Sequence, residues 1–164
     1  MGLFDKREKI DLDKASGVIF MLSLLTEGRI AQIDLDGIEK NHEKTVRCGY
    51  NFGLSMVILG SQIGMKNVDS FIDFAINNAK ETMMPETHKN IPEYEKYMRK
   101  ATNWVLNESS KCGNNLFEEY AKVYLNDLYN GSEYSNNMFN IAIQDMMFYY
   151  DNWKKVASGI KIIK

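Results

Sequence analysis

Cysteine, proline and histidine are scarce in this chain of 164 residues, with two of each. Cys48 and Cys112 stand far apart and form no CxxC spacing, which leaves out a zinc knuckle and the dense disulfide framework of a small secreted domain. Two reduced thiols in a cytoplasmic protein are expected. Both prolines, Pro85 and Pro92, lie in "TMMPETHKNIPEYEK", so long stretches elsewhere are free to run as helix. No long run of one charge sign occurs, and 20 basic residues nearly balance 22 acidic ones. A generic nucleic-acid binder needs a basic face to neutralise phosphates, so nucleic acid is disfavoured as a partner. The chain also lacks the run of about 20 apolar residues that crosses a bilayer. Its charged start, "MGLFDKREKIDLDK", holds no apolar signal core. There is no GxSxG elbow, no phosphate loop ending in lysine and no dinucleotide fingerprint behind a strand.

What is present is a large stock of core material: 45% hydrophobic residues, 12% of all residues aromatic, and helical periodicity almost throughout. These predict an all-α protein, a single compact bundle of about six helices spanning 1–164. The segment 84–91 is the one place for a subdivision. A first helix over 12–27 is capped by Asp11 or Asp13 and stopped by Gly28. Its apolar residues, Ala15, Val18, Ile19, Phe20, Met21, Leu22, Leu24 and Leu25, surround the axis, which predicts burial at the centre. A second helix starts near Asp34 or Asp36, and Asp36 with Glu39 has capping-box spacing. The third carries Val68, Phe71, Ile72, Ala75, Ile76, Ala79 and Met83 on one stripe. A fourth begins at Pro92 and can pair Glu95 with Arg99. A fifth covers 115–129 and a sixth 136–157.

The stretch "CGYNFGLSMVILGSQIGMK", Cys48 to Lys66, carries no charge before its last residue and has glycines at 49, 53, 60 and 64. Asn51, Ser55, Ser61 and Gln62 argue against a membrane span. The expected role is a packing seam. Each glycine costs a helix about 1 kcal/mol relative to alanine, and close approach of a neighbour would offset that. The gaps near Gly53 and Gly60 are expected to receive the apolar first helix. Residues 48–65 form either one helix or two, with a bend near Gly49 or Gly53.

Two other functions can be built from particular residues. Glu39, His42 and Glu43 fall on neighbouring turns, and Glu-x-x-His is half of a di-iron carboxylate set. This trio would serve a metal-dependent or acid–base helical enzyme. The other histidine, His88, has the wrong spacing to complete such a set, and no cofactor is expected. A cysteine–histidine dyad fares worse, because His42 and Cys48 are six apart and fall on different helix faces. Residues 54–76 read as helix, glycine turn and helix, the form of a DNA-binding regulator. Asp69 and Asp73 near the start of its second helix would repel phosphates, with Lys66 alone offsetting them locally.

The helix ends at Glu27-Gly28 and Asn130-Gly131 resemble those of tellurite-resistance helical domains of the TerB kind. In those domains Asp-Gly closes the helix and acidic residues follow in the next. Here Glu27 and Asn130 replace the aspartates and only Asp34 and Glu133 follow, so no metal site is carried over.

The most unusual composition lies in "IAIQDMMFYYDNWKK" of the sixth helix. Phe139, Ala142, Ile143, Met146, Tyr150 and Trp153 share one face, and Met138, Ile141 and Phe148 another. Consecutive helix residues splay around the axis, so not all of these can face one core. Met147, Phe148, Tyr149, Tyr150 and Trp153 are therefore expected at a partner interface. The leading functional expectation is a non-enzymatic interaction module: an accessory, adaptor or inhibitor protein, cytoplasmic, binding another protein or a second copy of itself. The abundance of Asn, Ile, Lys and Tyr suggests a low-GC bacterium or one of its phages or mobile elements as source.

Overall fold

The computed structural model describes residues 6–25 and 38–163. The expected stop at Gly28 and the starts at Asp34 and Asp36 lie outside the described residues, as do Glu27 and the Asp36 half of the capping box. Among the described residues, β1 (Glu8–Ile10) leads into α1 (Leu12–Leu25), α2 (Lys40–Ile63), α3 (Val68–Thr82), α4 (Ile91–Cys112), α5 (Leu116–Leu128) and α6 (Asn136–Gly159), and β2 (Ile160–Ile162) closes the order. The fold is an all-α helical bundle. Local chemistry sets the helix ends. Asp11 accepts the Lys14 amide at 2.8 Å to cap α1, and Ser135 accepts the Met138 amide at 3.2 Å to cap α6. Gly64, at φ 77°, turns the chain out of α2.

The central helix is α2, not α1 as the hydropathy suggested. Every residue from Thr45 to Met56 is buried, and α2 packs against α1, α4, α5 and α6. In contrast, α1 leaves Val18 and Met21 about two-fifths exposed. Polar side chains on α2 tolerate the interior because each finds a partner there. Asn51 donates to the Ser23 carbonyl and accepts from Trp153 Nε1 at 2.9 Å, and Ser55 returns its hydroxyl to the Phe52 carbonyl.

The glycine seam exists, but it receives α4. A Cβ at Gly49 would run into Tyr97 Cβ and lie 2.7 Å from the Tyr97 carbonyl carbon. At Gly53 it would lie 2.6 Å from Ala101 Cβ. At Gly60 the nearest atom is Leu106 Cδ2, 3.9 Å away, so that glycine is not part of the close approach. Residues 48–63 belong to one helix, and the turn comes only at Gly64.

The segment 84–91 is not a bare linker: Pro85–Asn90 forms a 3-10 turn, and α4 starts at Ile91 with Pro92 in its first turn. One cluster of buried residues draws members from both sides of it. The two short strands are an addition that the helical periodicity did not reveal. They pair in parallel, Glu8 with Ile160 and Ile10 with Ile162, and bury both isoleucines of that last pair. The Ile162 amide donates to Gln62 Oε1 at 3.0 Å, which ties the far end of the chain to α2.

Candidate functional site

The strongest polar feature inside the bundle is Arg47, 3% exposed on α2. Its Nη2 meets Glu43 Oε1 at 2.7 Å, and its Nη1 meets Asp145 Oδ2 at 2.9 Å and the Tyr149 hydroxyl at 3.3 Å. Burial alone would pull the guanidinium's pKa down. Tyr124, Tyr149 and Glu43 around it outweigh that and raise it, so the cation is held. Asp145, Tyr149 and Trp153 repeat every four residues along α6, and all three bond to α2. These bonds fix the rotation of α6 about its axis.

That rotation divides the five residues expected at an interface. Tyr149 and Trp153 are 1% and 3% exposed and belong to the core, a correction whose cause is their bonding to Arg47 and Asn51. Tyr150 is half-buried against Phe117, with Lys154 Nζ 5.0 Å from its ring centre. Met147 and Phe148 are left outside at 48% and 37% exposure, and Ile141 is half-exposed. From Asn136 to Tyr150 the only charged residue is Asp145, which is spent on Arg47. The outer face of these four turns therefore carries amides and apolar groups but no charge.

Glu39, His42 and Glu43 are close in sequence but do not converge. Glu39 caps α2: its carboxylate accepts the Asn41 amide at 3.1 Å and the His42 amide at 2.7 Å. Those two backbone bonds hold its carboxyl below the usual range. His42 donates from Nε2 to the Asp127 carbonyl at 3.2 Å, and Glu43 is bound to Arg47. Among the described residues no group of three or more His, Cys, Asp or Glu side chains gathers as metal ligands.

In the 54–76 segment, Val68, Phe71, Ile72, Ala75 and Ile76 of α3 are buried. The side chains it turns outward near its start include Asp69 and Asp73, bonded to Arg99 at 3.0 and 2.5 Å. The same Arg99 bonds Glu95, the pair expected from spacing. Among the described residues, no helix is long and apolar enough to cross a membrane. An apolar hollow between α1 and α3, bordered by Gly17, Val18, Met21, Asn78 and Thr82, was not anticipated from the sequence, because α1 was expected at the centre.

Tyr50 of α2 packs its ring against Tyr120 and Tyr124 of α5, and all three are buried. Tyr50 donates to Asp127 Oδ2 at 2.7 Å, and Tyr120 donates to the Tyr50 carbonyl at 2.6 Å. Burial raises the phenol pKa of Tyr50, Tyr120 and Tyr124 above the ordinary 10.0, and for Tyr50 the bond to Asp127 adds to it. Raised folded values mean that stability is full below the unfolded phenol's pKa and falls as pH climbs past it. The expected result is a flat stability profile through neutral pH and a loss beginning near pH 10, with these three phenols ionising only as the fold opens. Phenolate absorbance followed beside far-UV circular dichroism checks this; complete ionisation with helical signal intact would refute it.

Comparison with protein-family models, with curated proteins and with solved structures found no match to this chain.

Proposed function

We propose that this protein is a non-enzymatic interaction module, an accessory, adaptor or inhibitor that engages another protein through the outer face of α6. The observation that supports this reading is the exposed pair Met147 and Phe148, on a helix whose inward positions are already filled by Met146, Tyr149 and Trp153. Full burial of a Met or Phe side chain stabilises by about 1.5–3 kcal/mol. Met147 and Phe148 keep 48% and 37% of their surface exposed, so a partner can return part of that gain. Isolated exposed apolar residues are ordinary and need no explanation. Here they are neighbours, with half-exposed Ile141 close to two turns away, on a face without charge. Loss of charge and enrichment in Met and Phe characterise the centres of interfaces.

The test is affinity capture from the native host with wild-type protein and with the double variant Met147→Glu, Phe148→Glu as baits. The variant is expected to keep the wild-type melting curve, since neither side chain fills the core, and to lose the bound protein. Identical captures from the two baits would overturn the reading.

A further inference from the structure

Independently of the α6 face, we propose that the hollow between α1 and α3 binds a small primary amine with an apolar body, its ammonium group held by Asp11 and Asp13. The hollow has a volume of about 460 Å³, within the range of small-molecule sites. Phe20 and Ala79, both buried, form its inner wall, and Val18 and Met21 stand at its mouth with 39% and 41% of their surface exposed. An apolar body that enters between them leaves water, which favours binding. The charged side chains that border the hollow, Asp11, Asp13 and Lys14, all lie at the start of α1. Asn78 of α3 leans on the same end of α1. Gly17 leaves it room, since a Cβ there would lie 3.2 Å from Asn78 Cγ.

The hydrogen-bonding inventory selects the charge of the ligand. The donors around the hollow are engaged within the protein. Asn78 Nδ2 donates to Asp13 Oδ1 at 2.9 Å and to the Phe74 carbonyl at 3.0 Å. The Thr82 hydroxyl donates to the Asn78 carbonyl at 2.7 Å, and Lys14 Nζ is held by Glu8 at 2.9 Å. Acceptors remain. Asp11 and Asp13 are exposed, and each uses one carboxylate oxygen, Asp11 on the Lys14 amide and Asp13 on Asn78. Their second oxygens have no partner among the described residues. A ligand must therefore bring donors. With Lys14 offset by Glu8, the two aspartates leave the rim negative, so an ammonium is attracted and a carboxylate or phosphate is repelled. Aspartates at a helix start are ordinary caps. Here they border an apolar space, and the combination matches a molecule that is greasy at one end and cationic at the other.

The test titrates isotope-labelled protein with three probes of similar shape, phenethylamine, phenethyl alcohol and hydrocinnamate, to about ten millimolar, and follows the backbone amide resonances. Phenethylamine is expected to shift the amides of Gly17, Met21 and Thr82. It should bind about tenfold more tightly than hydrocinnamate, with the alcohol between them, because exposed ion pairs give a small gain that like charges reverse. Asp13→Asn keeps an acceptor for Asn78 and removes one charge, so it should narrow that preference to about threefold. Met21→Lys plants an ammonium at the mouth of the hollow and should abolish binding of the amine. Both positions are exposed, so unchanged melting curves separate these effects from misfolding.

The proposal is overturned if no probe moves these amides in the wild type, or if the alcohol or hydrocinnamate binds as tightly as the amine. An amine preference that survives intact in Asp13→Asn also overturns it. None of these results bears on the α6 face, which the capture experiment decides separately.

Discussion

Gly49→Ala should destabilise the protein by up to about 2 kcal/mol net, although alanine is the better helix former. The two effects oppose each other and magnitude decides. Replacing a mid-helix glycine by alanine gains about 1 kcal/mol of propensity. At Gly49 the new methyl would lie 2.7 Å from the Tyr97 carbonyl carbon and 2.9 Å from the Met98 amide nitrogen, besides meeting Tyr97 Cβ. Two of those atoms are backbone and cannot rotate away, so α4 must retreat as a body. The retreat loosens Met98, Ala101 and Val105, all buried on α4. Overpacking of this kind costs about 1–3 kcal/mol and sometimes more, which exceeds the propensity gain. Gly53→Ala should behave in the same way, since it meets Ala101 and displaces the Tyr120 hydroxyl from the Tyr50 carbonyl. Gly60→Ala reverses the sign. Its methyl would have ordinary contact distances, 3.9 Å to Leu106 Cδ2 and 4.0 Å to Met56 Cβ, so the gain of up to about 1 kcal/mol survives. Urea midpoints of the three variants, at unchanged denaturant slope, provide the comparison. Gly49→Ala and Gly60→Ala shifting in the same stabilising direction would show that α2 and α4 are not in close contact.

Arg47→Met is expected to have the largest effect, a loss of about 3–5 kcal/mol. The substitution keeps a long apolar stem but leaves Glu43 and Asp145 facing each other with no cation between them. Their side chains are only 11% and 13% exposed, so water replaces little of the lost interaction. Domains are stable by about 5–15 kcal/mol in total, so the variant should be marginal at ambient temperature. Replacing the whole cluster, with Glu43→Met, Arg47→Met and Asp145→Leu together, should recover most of the loss. Desolvation of the three charges disappears along with their attraction. Chemical unfolding of the single and triple variants measures both. A triple variant no more stable than Arg47→Met would mean that the cluster contributes geometry that apolar packing cannot replace.

Much of the helical plan was legible from local signals. The stripe Val68, Phe71, Ile72, Ala75, Ile76 and Ala79 is buried as its three-and-four spacing required. The Glu95–Arg99 pair one turn apart is present. The strands Glu8–Ile10 and Ile160–Ile162 were not legible, because three residues are too few for alternation to show. On α6 the spacing put Tyr150 on one face with Ala142, Met146 and Trp153, and the structure buries Tyr149 with them instead. The cause is Arg47, whose partner Asp145 lies 98 residues away in the chain. Arg47 is the last charge of the run "EKNHEKTVR", and nothing nearby in sequence marks it as buried.

The sequence by itself determined that the chain is helical, where α1 and α4 begin, the bounds of α5 and α6 to within two residues, and which residues of α3 face inward. Those properties depend on neighbours within a turn or two, where proline, glycine, capping side chains and periodicity act. Only the tertiary structure decided that α2 and not α1 occupies the centre, that the glycine seam receives α4, and that α6 turns Met147 and Phe148 outward. Each of those outcomes depends on which distant side chain completes a hydrogen bond or fills a missing Cβ, and such partners are brought together only by the fold.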